Sequence, residues 1–429
     1  MEEDHDHLHY HGVDRAEEHL SVSDALKILL DEIRKTRSEL VPVSEANNRV
    51  LFKKLKSPGD LPRLARSTRD GYAIKLSQGV KEVENHLFRI VGEIRIGEVP
   101  KLTLDVDDAV RISTGAYIPS GANAVVMIEY TQVEQDSLKI TRPVRVEENI
   151  LSSGQDLRKG EVLFSAGTRL RPQHIALISM LGIDQFPVYA KPKVAFFSTG
   201  DELEDVGSRN RRRNGSVNQI GIFDSNRPFL SSMINELGGI PIDLGIARDN
   251  LNQVKAKMIK GLKYDALFLS AGSSVGERDY VTKAAESIKS VKVLVHGVAM
   301  RPSSPTSLAV HHGKPLILLP GFPTSAIVSF LVFGRPAILK LGGNSSLDYT
   351  LIRATLDDDY DGKPGLTHFL RVRIARDGEL YRAKIVKPTE AQFSSWLREA
   401  NGIAIIGRDG KTNVRCGDEV SAFQIGDIA

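Results

Sequence analysis

The pattern of apolar and polar positions changes twice along the chain. From about residue 41 to residue 159, apolar residues come in short runs such as HLFRIVGEI, broken by Gly, Pro, Asp and Asn, which predicts a β-rich region. From residue 191 to residue 341, uniformly apolar strands such as KVAFF alternate with helical segments, which predicts a parallel sheet covered by helices on both faces. After residue 341, short strands separated by turns predict a small β-domain.

Two segments that precede the parallel sheet have helical spacing. Apolar residues recur at helical intervals after residue 20, and Ser21 or Ser23 is the expected N-cap. The segment RPQHIALISMLGI predicts a second helix, because Pro172 lies near its start and Gly182 follows its end. We therefore expect short helical segments on both sides of the β-rich region.

Composition and charge mainly exclude classes of protein. Of the 429 residues, 41% are hydrophobic and 26% are charged, which is ordinary for a globular chain. No window of about 18 uncharged apolar residues occurs, so we expect no membrane span. The net charge is only +3, so we expect no nucleic-acid partner, which would need a clustered basic face. The single cysteine, Cys416, excludes an internal disulfide and favours a cytoplasmic protein.

Two basic segments each have two interpretations. The histidines at positions 5, 7, 9 and 11 alternate, so an extended chain would offer them together to a transition metal. The alternative is a disordered tail over residues 1–19 with incidental metal affinity. The three arginines at positions 211–213 lie in a Gly- and Asn-rich stretch and either contact phosphate or form a solvated surface loop.

Ligands of an open parallel sheet bind beyond the carboxyl ends of its strands, and polar loops follow the predicted strands here. The first loop comprises Ser198, Thr199, Gly200, Asp201 and Glu202. Its hydroxyls and amides could bind a phosphate, and its carboxylates could bind Mg²⁺. The alternative is that Asp201 only caps a helix. In the second loop, at 248–250, Asp249 either caps the following helix or presents a carboxylate to the same cleft.

Two more loops belong to the same predicted edge. The segment SAGSSVGERD at 270–279 has small residues that allow close backbone approach to a phosphate, and Asp279 could hold a metal. It is neither a Walker loop nor a dinucleotide fingerprint. In the segment PGFPTS at 320–325, two prolines stiffen the turn and Thr324 or Ser325 is the expected helix cap. Together the loops predict a phosphate-bearing or anionic ligand.

The N-terminal half contains two further polar segments. STRDGYA at 67–73 places a carboxylate next to a glycine, and RISTGA at 111–116 joins hydroxyls to a glycine turn. Each segment by itself is more often a plain structural turn than part of a site.

The order of the motifs carries more information than any one of them. They are DGYA at 70–73, RISTGA with PSGANAVV at 111–126, GQD at 154–156, STGDEL at 198–203, DSNR at 224–227, SAGSSVGERDY at 270–280 and LPGFPTSA at 319–326. In this order they resemble the MoeA family of molybdopterin molybdenumtransferases, which includes the C-terminal domain of gephyrin. The resemblance extends from about residue 20 to the C-terminus and is weakest after residue 341.

The resemblance implies an α/β multidomain fold. A doubly wound α/β molybdopterin-binding domain would span 191–341, and an inserted β-rich domain would span 41–159. A helical linking subdomain would combine 20–40 with 160–190, and a C-terminal β-barrel-like domain would span 342–429. An elongated homodimer is also implied, with the active site between the α/β domain of one subunit and the β-rich domain of the other.

The resemblance also implies a reaction. Its substrates would be adenylylated molybdopterin and molybdate or tungstate, with Mg²⁺ as cofactor and AMP as a product. An upstream molybdopterin adenylyltransferase would supply the substrate. The alternatives are a carrier or storage protein that binds molybdopterin without inserting metal, and a scaffolding protein on the same fold.

Site residues follow from the resemblance position by position. The catalytic residues would be Asp70, Asp156, Glu202, Asp249, Asp279 and Arg301. Glu202 and Asp279 would be metal ligands. The cofactor-binding residues would be Thr114, Ser198, Thr199, Gly200, Gly272, Ser273, Ser274, Gly276, Pro320, Gly321 and Pro323. Ser394 or Ser395 lies near the position of a functional serine of the family, with uneven spacing.

The chain departs from the family pattern around one site. Where the family has KPGKPT, this chain has RPSSPT at 301–306. Arg301 keeps the first charge and can bind an oxyanion bidentately, whereas Ser304 loses the second. A charged hydrogen bond contributes about 1.5–3 kcal/mol, so affinity would fall roughly ten- to a hundred-fold. SAGSS at 270–274 and Phe322 also depart, so we expect altered oxyanion preference or rate.

Overall fold

The computed structural model describes residues 19–206, 221–271, 280–386, 395–408 and 410–428. The predicted histidine tail and the arginine run at 211–213 lie outside these residues.

The α/β domain is built on a six-stranded sheet whose first four strands are parallel. In spatial order its strands are Ile240–Ala247, Lys193–Thr199, Ala266–Ala271, Lys314–Pro320, Ser307–His311 and Val291–His296. Helices Asn226–Glu236, Leu251–Gly261 and Tyr280–Glu286 belong to this domain. Alternate side chains of one strand enter different cores, since Phe196 packs in one cluster and Phe197 in the other, both with no exposed surface. The predicted doubly wound α/β fold is confirmed.

The first helix, Val22–Glu32, belongs structurally to the α/β domain. Ser21 is its N-cap, because the hydroxyl oxygen accepts the N–H of Asp24 at 3.1 Å. Ala25 and Leu29 are fully buried in the same cluster as Phe196. Apolar burial, rather than proximity in sequence, determines which domain this helix covers.

A small subdomain connects the sheet to the β-rich region. Strand Ser38–Pro42 pairs antiparallel with Gln185–Tyr189, and Leu55–Lys56 pairs with Val162–Phe164. The 3₁₀ turn Val43–Glu45 and the helix Pro172–Met180 complete it. Residues from 41 to 51 share one core with residues 170–188, so they pack here and not against the β-rich sheet that follows.

The β-rich domain contains its own six-stranded sheet. In spatial order the strands are Ala124–Met127, Gly71–Ile74, Asp108–Ile112, Leu87–Ile94, Ser137–Ile140 and Thr131–Glu134. Two short pairs flank it, Arg66–Ser67 with Ile150–Leu151 and Glu82–Val83 with Val144–Arg145. Buried residues on the two faces form two clusters drawn entirely from residues 72–150, so this region folds around a core of its own.

The C-terminal region closes into a five-stranded barrel. Its strands are Ile352–Leu356, Thr367–Asp377, Leu380–Ile385, Gly402–Ile406 and Glu419–Gln424. The ring closes because Thr367–Asp377 pairs with both Leu380–Ile385 and Gly402–Ile406. The strand pair Tyr360–Asp361 with Asn413–Val414 and the helix Ser395–Glu399 lie outside the ring. One strand of the preceding domain, Met300–Arg301, pairs in parallel with Thr367 and His368 and so joins the barrel to the α/β domain.

One helical stretch, Pro323–Leu341, is long and apolar enough to span a membrane by length and composition. It consists of helix Pro323–Ser329, the π-helical turn Phe330–Gly334 and helix Arg335–Leu341. Of its most apolar stretch, 78% is buried inside the protein, and Phe330 and Phe333 are fully buried. A helix buried to this extent is typical of the core of a globular protein. Thr324, Ser325 and Ser329 interrupt the uncharged run at 315–334, so no stretch of about 18 residues is wholly apolar.

Candidate active site at the sheet edge and the adjoining basic pocket

The carboxyl ends of the four parallel strands meet at one edge of the sheet. Thr199 aligns with Ala247, Ser198 with Ser270 and Ala271 with Pro320. The four polar loops therefore leave the sheet side by side, as their positions in the sequence predicted.

The first two loops are hydrogen-bonded to each other. The N–H of Gly200 donates to the carbonyl of Ala247 at 3.1 Å, and the Arg248 guanidinium donates to the carbonyl of Asp201 at 2.7 Å. The N–H of Asp249 donates to Oδ1 of Asp201 at 3.2 Å. The capping interpretation of Asp201 is therefore wrong, because its carboxylate accepts an N–H of the second loop and caps none of the described helices.

Asn250, and not Asp249, caps the helix that follows the second loop. Its side-chain oxygen accepts the N–H groups of Asn252 at 3.0 Å and Gln253 at 3.3 Å. Of the two interpretations of Asp249, helix capping is thus wrong. Asp249 is exposed at the sheet edge beside Asp201.

Glu202 folds back over the glycine of its own loop. A Cβ built on Gly200 would lie 2.7 Å from one carboxylate oxygen of Glu202 and 2.8 Å from the other. Glycine at 200 is therefore required for this carboxylate position. Beside it, Ser198 is 1% exposed and, among the described residues, its hydroxyl oxygen has no hydrogen-bond partner, while Thr199 is 6% exposed.

Asn226 ties the third and fourth loops together. Its amide donates to Oγ of Ser270 at 2.6 Å and to the carbonyl of Gly321 at 2.8 Å. Ser270 Oγ also lies 3.4 Å from the carbonyl of Pro320. Asn226 is 6% exposed, so these bonds are protected from water and hold the Pro320–Gly321 turn against the neighbouring strand.

The arginine of the same DSNR motif is surrounded by carboxylates. Arg227 donates to Asp224 at 2.7 Å, to both oxygens of Asp243 at 2.8 and 2.9 Å, and to Asp205. Burial by itself would lower the pKa of Arg227, but these hydrogen bonds and charges raise it well above its ordinary value. The guanidinium is fully engaged, so it stabilises the fold under the loops and is not available to a ligand.

The fourth loop leads into a helix that contacts two other parts of the site. Helix Pro323–Ser329 begins at the N-cap Phe322 without a side-chain cap, so the prediction that Thr324 or Ser325 caps it is wrong. Thr324 Oγ1 instead accepts the indole N–H of Trp396 at 2.9 Å. The Ser303 hydroxyl donates to the carbonyl of Ser325 at 2.7 Å. The helix thus links the sheet edge to the RPSSPT segment and to the C-terminal region.

A basic pocket of about 470 Å³ lies between the RPSSPT segment and the barrel. It is lined by Arg301, Pro302, Tyr360, Asp361, Phe369, Leu370, Arg371 and Ile385. Arg301 therefore faces the barrel. Arg371 has a buried Nε with no hydrogen-bond partner among the described residues, and burial lowers its pKa. Its guanidinium lies 6.0 Å from the centroid of the Trp396 ring.

Behind this pocket lies a fully buried histidine. His368 has no exposed surface, and its Nδ1 lies 2.9 Å from Oη of Tyr360. Its Nε2 lies 3.0 Å from the carbonyl of Lys363. Burial lowers the pKa of His368, and burial raises the pKa of Tyr360 against the opposing charges of Arg301 and Arg371. Both side chains are therefore neutral near pH 7.

Three regions of the chain match the profiles of known protein families. They are the MoeA N-terminal region, domains I and II, at 20–182, a probable molybdopterin-binding domain at 195–340, and the MoeA C-terminal region, domain IV, at 353–425. A molybdopterin molybdenumtransferase of Staphylococcus aureus is 31% identical over 362 residues, which cover 82% of this chain and 83% of that protein. The Staphylococcus epidermidis protein of the same name is 30% identical over 360 residues, with the same coverage.

The chain belongs to the MoeA family of molybdopterin molybdenumtransferases. A crystal structure of a molybdopterin biosynthesis MoeA protein from Pyrococcus horikoshii has a TM-score of 0.80 to this chain. The two sequences are 29% identical, and the match covers 96% of this chain and 100% of that one. A molybdenum cofactor biosynthesis protein from Pyrococcus furiosus, at 21% identity and a TM-score of 0.58, shares the fold.

Some site residues predicted from the MoeA resemblance lie in the β-rich domain. Oδ1 of Asp70 accepts the N–H of Thr114 at 2.8 Å, so these two are brought together. Asp156 is exposed in the same domain, where its N–H donates to the carbonyl of Leu61 at 3.0 Å. The hydrogen bonds described for residues 60–157 reach no residue of the α/β domain. In the single chain, those contacts do not bring these residues to the sheet edge.

Several predicted site residues lie outside the described residues. They are Gly272, Ser273, Ser274, Gly276, Asp279 and Ser394. Ser395 begins a helix whose first side chain is likewise outside the description. Among the described residues, no group of three or more His, Cys, Asp or Glu side chains could hold a metal ion.

The sequence analysis missed the residues that complete the pocket. The C-terminal region, where the MoeA resemblance is weakest, contributes Tyr360, His368, Arg371 and Trp396. At the sheet edge, Asn226 was identified only as part of the DSNR motif, without a role of its own. Two signals were available. Trp396 is the single tryptophan of the chain, and Arg371 interrupts the apolar alternation of a predicted strand, HFLRVRI.

Proposed function

We propose that this protein inserts molybdate, or tungstate, into adenylylated molybdopterin and releases AMP. The observation that carries the proposal is the connection of two anion sites by one helix. Helix Pro323–Ser329 starts at the fourth loop of the sheet edge and contacts both Ser303 and Trp396 beside the basic pocket. The family name of the relatives, molybdopterin molybdenumtransferase, supports this assignment.

The pterin phosphate would bind at the sheet edge. Ser198 and Thr199 offer hydroxyls there, and Gly200 lets the backbone approach closely. Ser198 supports this role directly, since its buried hydroxyl has no partner among the described residues and a ligand oxygen would satisfy it.

The oxyanion would bind in the basic pocket. Arg301 and Arg371 both line it, and a guanidinium binds a tetrahedral oxyanion through paired N–H groups. The Nε of Arg371, which has no partner among the described residues, supports this assignment, because a buried donor without a partner costs about 1–3 kcal/mol that a bound anion would recover.

Mg²⁺ would bind at the sheet edge with the phosphates. Hard carboxylate oxygens suit this ion, which is usually held by one or two carboxylates together with substrate phosphates. Glu202 over Gly200 would be one such ligand, and Asp279 is the second expectation. The ion would neutralise phosphate charge when bound.

A homodimer would complete the site. Asp70, Thr114 and Asp156 belong to a domain with its own core and with no described hydrogen bond to the α/β domain. In a homodimer, the β-rich domain of one subunit would bring them to the sheet edge of the other. An upstream enzyme that adenylylates molybdopterin would supply the substrate.

The test is AMP release from purified protein given adenylylated molybdopterin and Mg²⁺, with molybdate or tungstate added separately. We expect metal-dependent release that falls roughly ten- to a hundred-fold in Arg371→Gln, the loss of one charged hydrogen-bonding group. Arg373→Gln is the matched control, because Arg373 lies on the same strand but is exposed. Tight pterin binding without AMP release under any of these conditions would favour a carrier and overturn the transferase.

A further inference from the structure

The hydrogen-bond donors and acceptors behind the basic pocket can be assigned from their chemistry. The carbonyl of Lys363, 3.0 Å from Nε2 of His368, can only accept, so Nε2 carries the hydrogen. In the neutral imidazole, Nδ1 then has a lone pair and no hydrogen. The other tautomer would set two lone pairs against each other in a site without water, because His368 has no exposed surface.

This assignment fixes the hydroxyl of Tyr360. Nδ1 of His368 lies 2.9 Å away and must accept, so the hydroxyl hydrogen points at the histidine. Only lone pairs of the Tyr360 oxygen remain for the pocket. Tyr360 therefore acts there as an acceptor, although a tyrosine hydroxyl can serve as a donor elsewhere.

The pocket thus combines two donors with an acceptor. Arg301 and Arg371 provide N–H groups, and Tyr360 provides an oxygen. The other charged side chain of the lining, Asp361, also presents carboxylate oxygens, one of which is bound by Arg415 at 2.7 Å. An oxyanion with four unprotonated oxygens has no hydrogen to donate to the Tyr360 oxygen, so the lone pairs of the two oxygens would repel each other. An oxyanion that carries one hydrogen satisfies every group.

We propose that Tyr360, held by His368, is a specificity-determining residue that makes the pocket select oxyanions that carry a hydrogen and reject sulfate. Sulfate is the anion of a strong acid and carries no hydrogen near neutral pH. Molybdate and tungstate are anions of weaker acids and take up a proton more readily. The repulsion between the Tyr360 oxygen and an unprotonated oxygen is thus expected only with sulfate, and such repulsion of the wrong ligand produces specificity. The proposal rests on the pocket being the oxyanion site of the proposed function.

The test measures binding of molybdate and of sulfate to the full-length protein between about pH 6.5 and 8.5 at constant ionic strength. Equilibrium dialysis gives Kd, and fluorescence of the single tryptophan, Trp396, reports on the pocket because its ring lies 6.0 Å from Arg371. If the bound oxyanion carries a proton that the free one lacks, Kd for molybdate rises about tenfold per pH unit. Sulfate should bind at least about a hundredfold more weakly than molybdate at the lower pH.

Two variants distinguish the effect of the Tyr360 hydroxyl from an effect on folding. Tyr360→Phe removes the acceptor, so the slope of Kd with pH should flatten and discrimination against sulfate should fall at least about tenfold. His368→Leu keeps the tyrosine but frees its hydroxyl to donate, and sulfate affinity should rise here too. Tyr381→Phe is the matched control, since Tyr381 is a half-buried tyrosine of the barrel outside the pocket. Thermal unfolding checks that each variant is folded.

The outcomes distinguish this proposal from the one it rests on. A Kd for molybdate that does not change with pH, or unchanged sulfate discrimination in both folded variants, overturns the role of Tyr360 and leaves the transferase proposal intact. If neither molybdate nor sulfate binds, in dialysis or in fluorescence, the pocket assignment and the role of Tyr360 are overturned together.

Discussion

Two arginines of this protein have opposite surroundings. Arg227, beneath the sheet edge, is 8% exposed and donates to Asp205, Asp224 and Asp243, which together raise its pKa. Arg371, in the pocket beside the barrel, has a buried Nε without a partner among the described residues, and burial lowers its pKa. The charge of Arg227 is compensated by the fold, whereas that of Arg371 has no carboxylate partner among the described residues.

The difference teaches how a motif should be weighed. Arg227 belongs to DSNR, one of the motifs that carry the family resemblance, yet its geometry is that of a scaffold. Arg371 belongs to no motif and lies where the resemblance is weakest, yet its buried Nε lacks a partner among the described residues. The carboxylates around a cation decide its availability to a substrate, and the sequence motif does not reveal them.

The largest effect is expected where the compensated charge is removed. Arg227→Met should lower the free energy of unfolding by about 3–5 kcal/mol, because it leaves the carboxylate of Asp224, 2% exposed, without its cation. Urea denaturation measures this. Asp205→Asn is the control and should cost no more than about 1 kcal/mol, because Asp205 is 63% exposed. Equal losses in the two variants would contradict the scaffold role.

The uncompensated charge should behave in the opposite way. Arg371→Met should lower the free energy of unfolding by less than about 1 kcal/mol, because it removes a buried cation that has no carboxylate partner in the described part of the chain. Molybdate affinity, measured by dialysis, should meanwhile fall roughly ten- to a hundred-fold. A loss of stability as large as that of Arg227→Met would remove the contrast between the two arginines.

A charge added to the RPSSPT segment should sharpen the comparison. Ser304→Lys restores the lysine that the family pattern has at this position and should raise molybdate affinity about tenfold, the effect of one charged hydrogen bond. Ser77→Lys in the β-rich domain is the control, since Ser77 is exposed and the change in net charge is the same. If both variants bind molybdate equally more tightly, only the net charge matters, and the local interpretation fails.

The smallest effect concerns pH. The pKa of His368 is lowered in the folded protein, so the unfolded chain takes up a proton first as the pH falls below about 6.5. Stability should therefore be lost as the pH falls through that value, by no more than about 1.4 kcal/mol per pH unit. His368→Leu should show a shallower decline in urea denaturation over the same range. A steeper decline in that variant would contradict the assignment of a neutral imidazole.

Much of the fold was predictable because apolar periodicity is local. Alternating strands and helices over 191–341 predicted the doubly wound sheet, and the order of strands placed the polar loops at one edge. The packing partner of helix Val22–Glu32 was not predictable in the same way. Its apolar face fits any core, and only tertiary contacts decide that Ala25 and Leu29 join the α/β core.

Only those parts of the site that are formed by residues close together in the sequence were predictable. The loops after the strands were found from the residues that follow each strand. Capping, one of the two interpretations of Asp249, was wrong because Asn250, one residue further along, is the cap. The expected cap at Thr324 or Ser325 was wrong as well, and the Thr324 hydroxyl instead accepts from Trp396 of another domain. The basic pocket was missed because strand pairing, and no motif, brings Arg301 beside Tyr360 and Arg371.

That strand pairing has a consequence for how the protein is made. Met300 and Arg301 pair with Thr367 and His368, residues that leave the ribosome later. A nascent chain that ends near residue 341 contains the whole parallel sheet and all four of its loops, but the strand partner of Arg301 does not yet exist. The sheet edge can thus form during synthesis, whereas the basic pocket must wait for the last domain. Translation itself would impose the order in which the two halves of the site become competent.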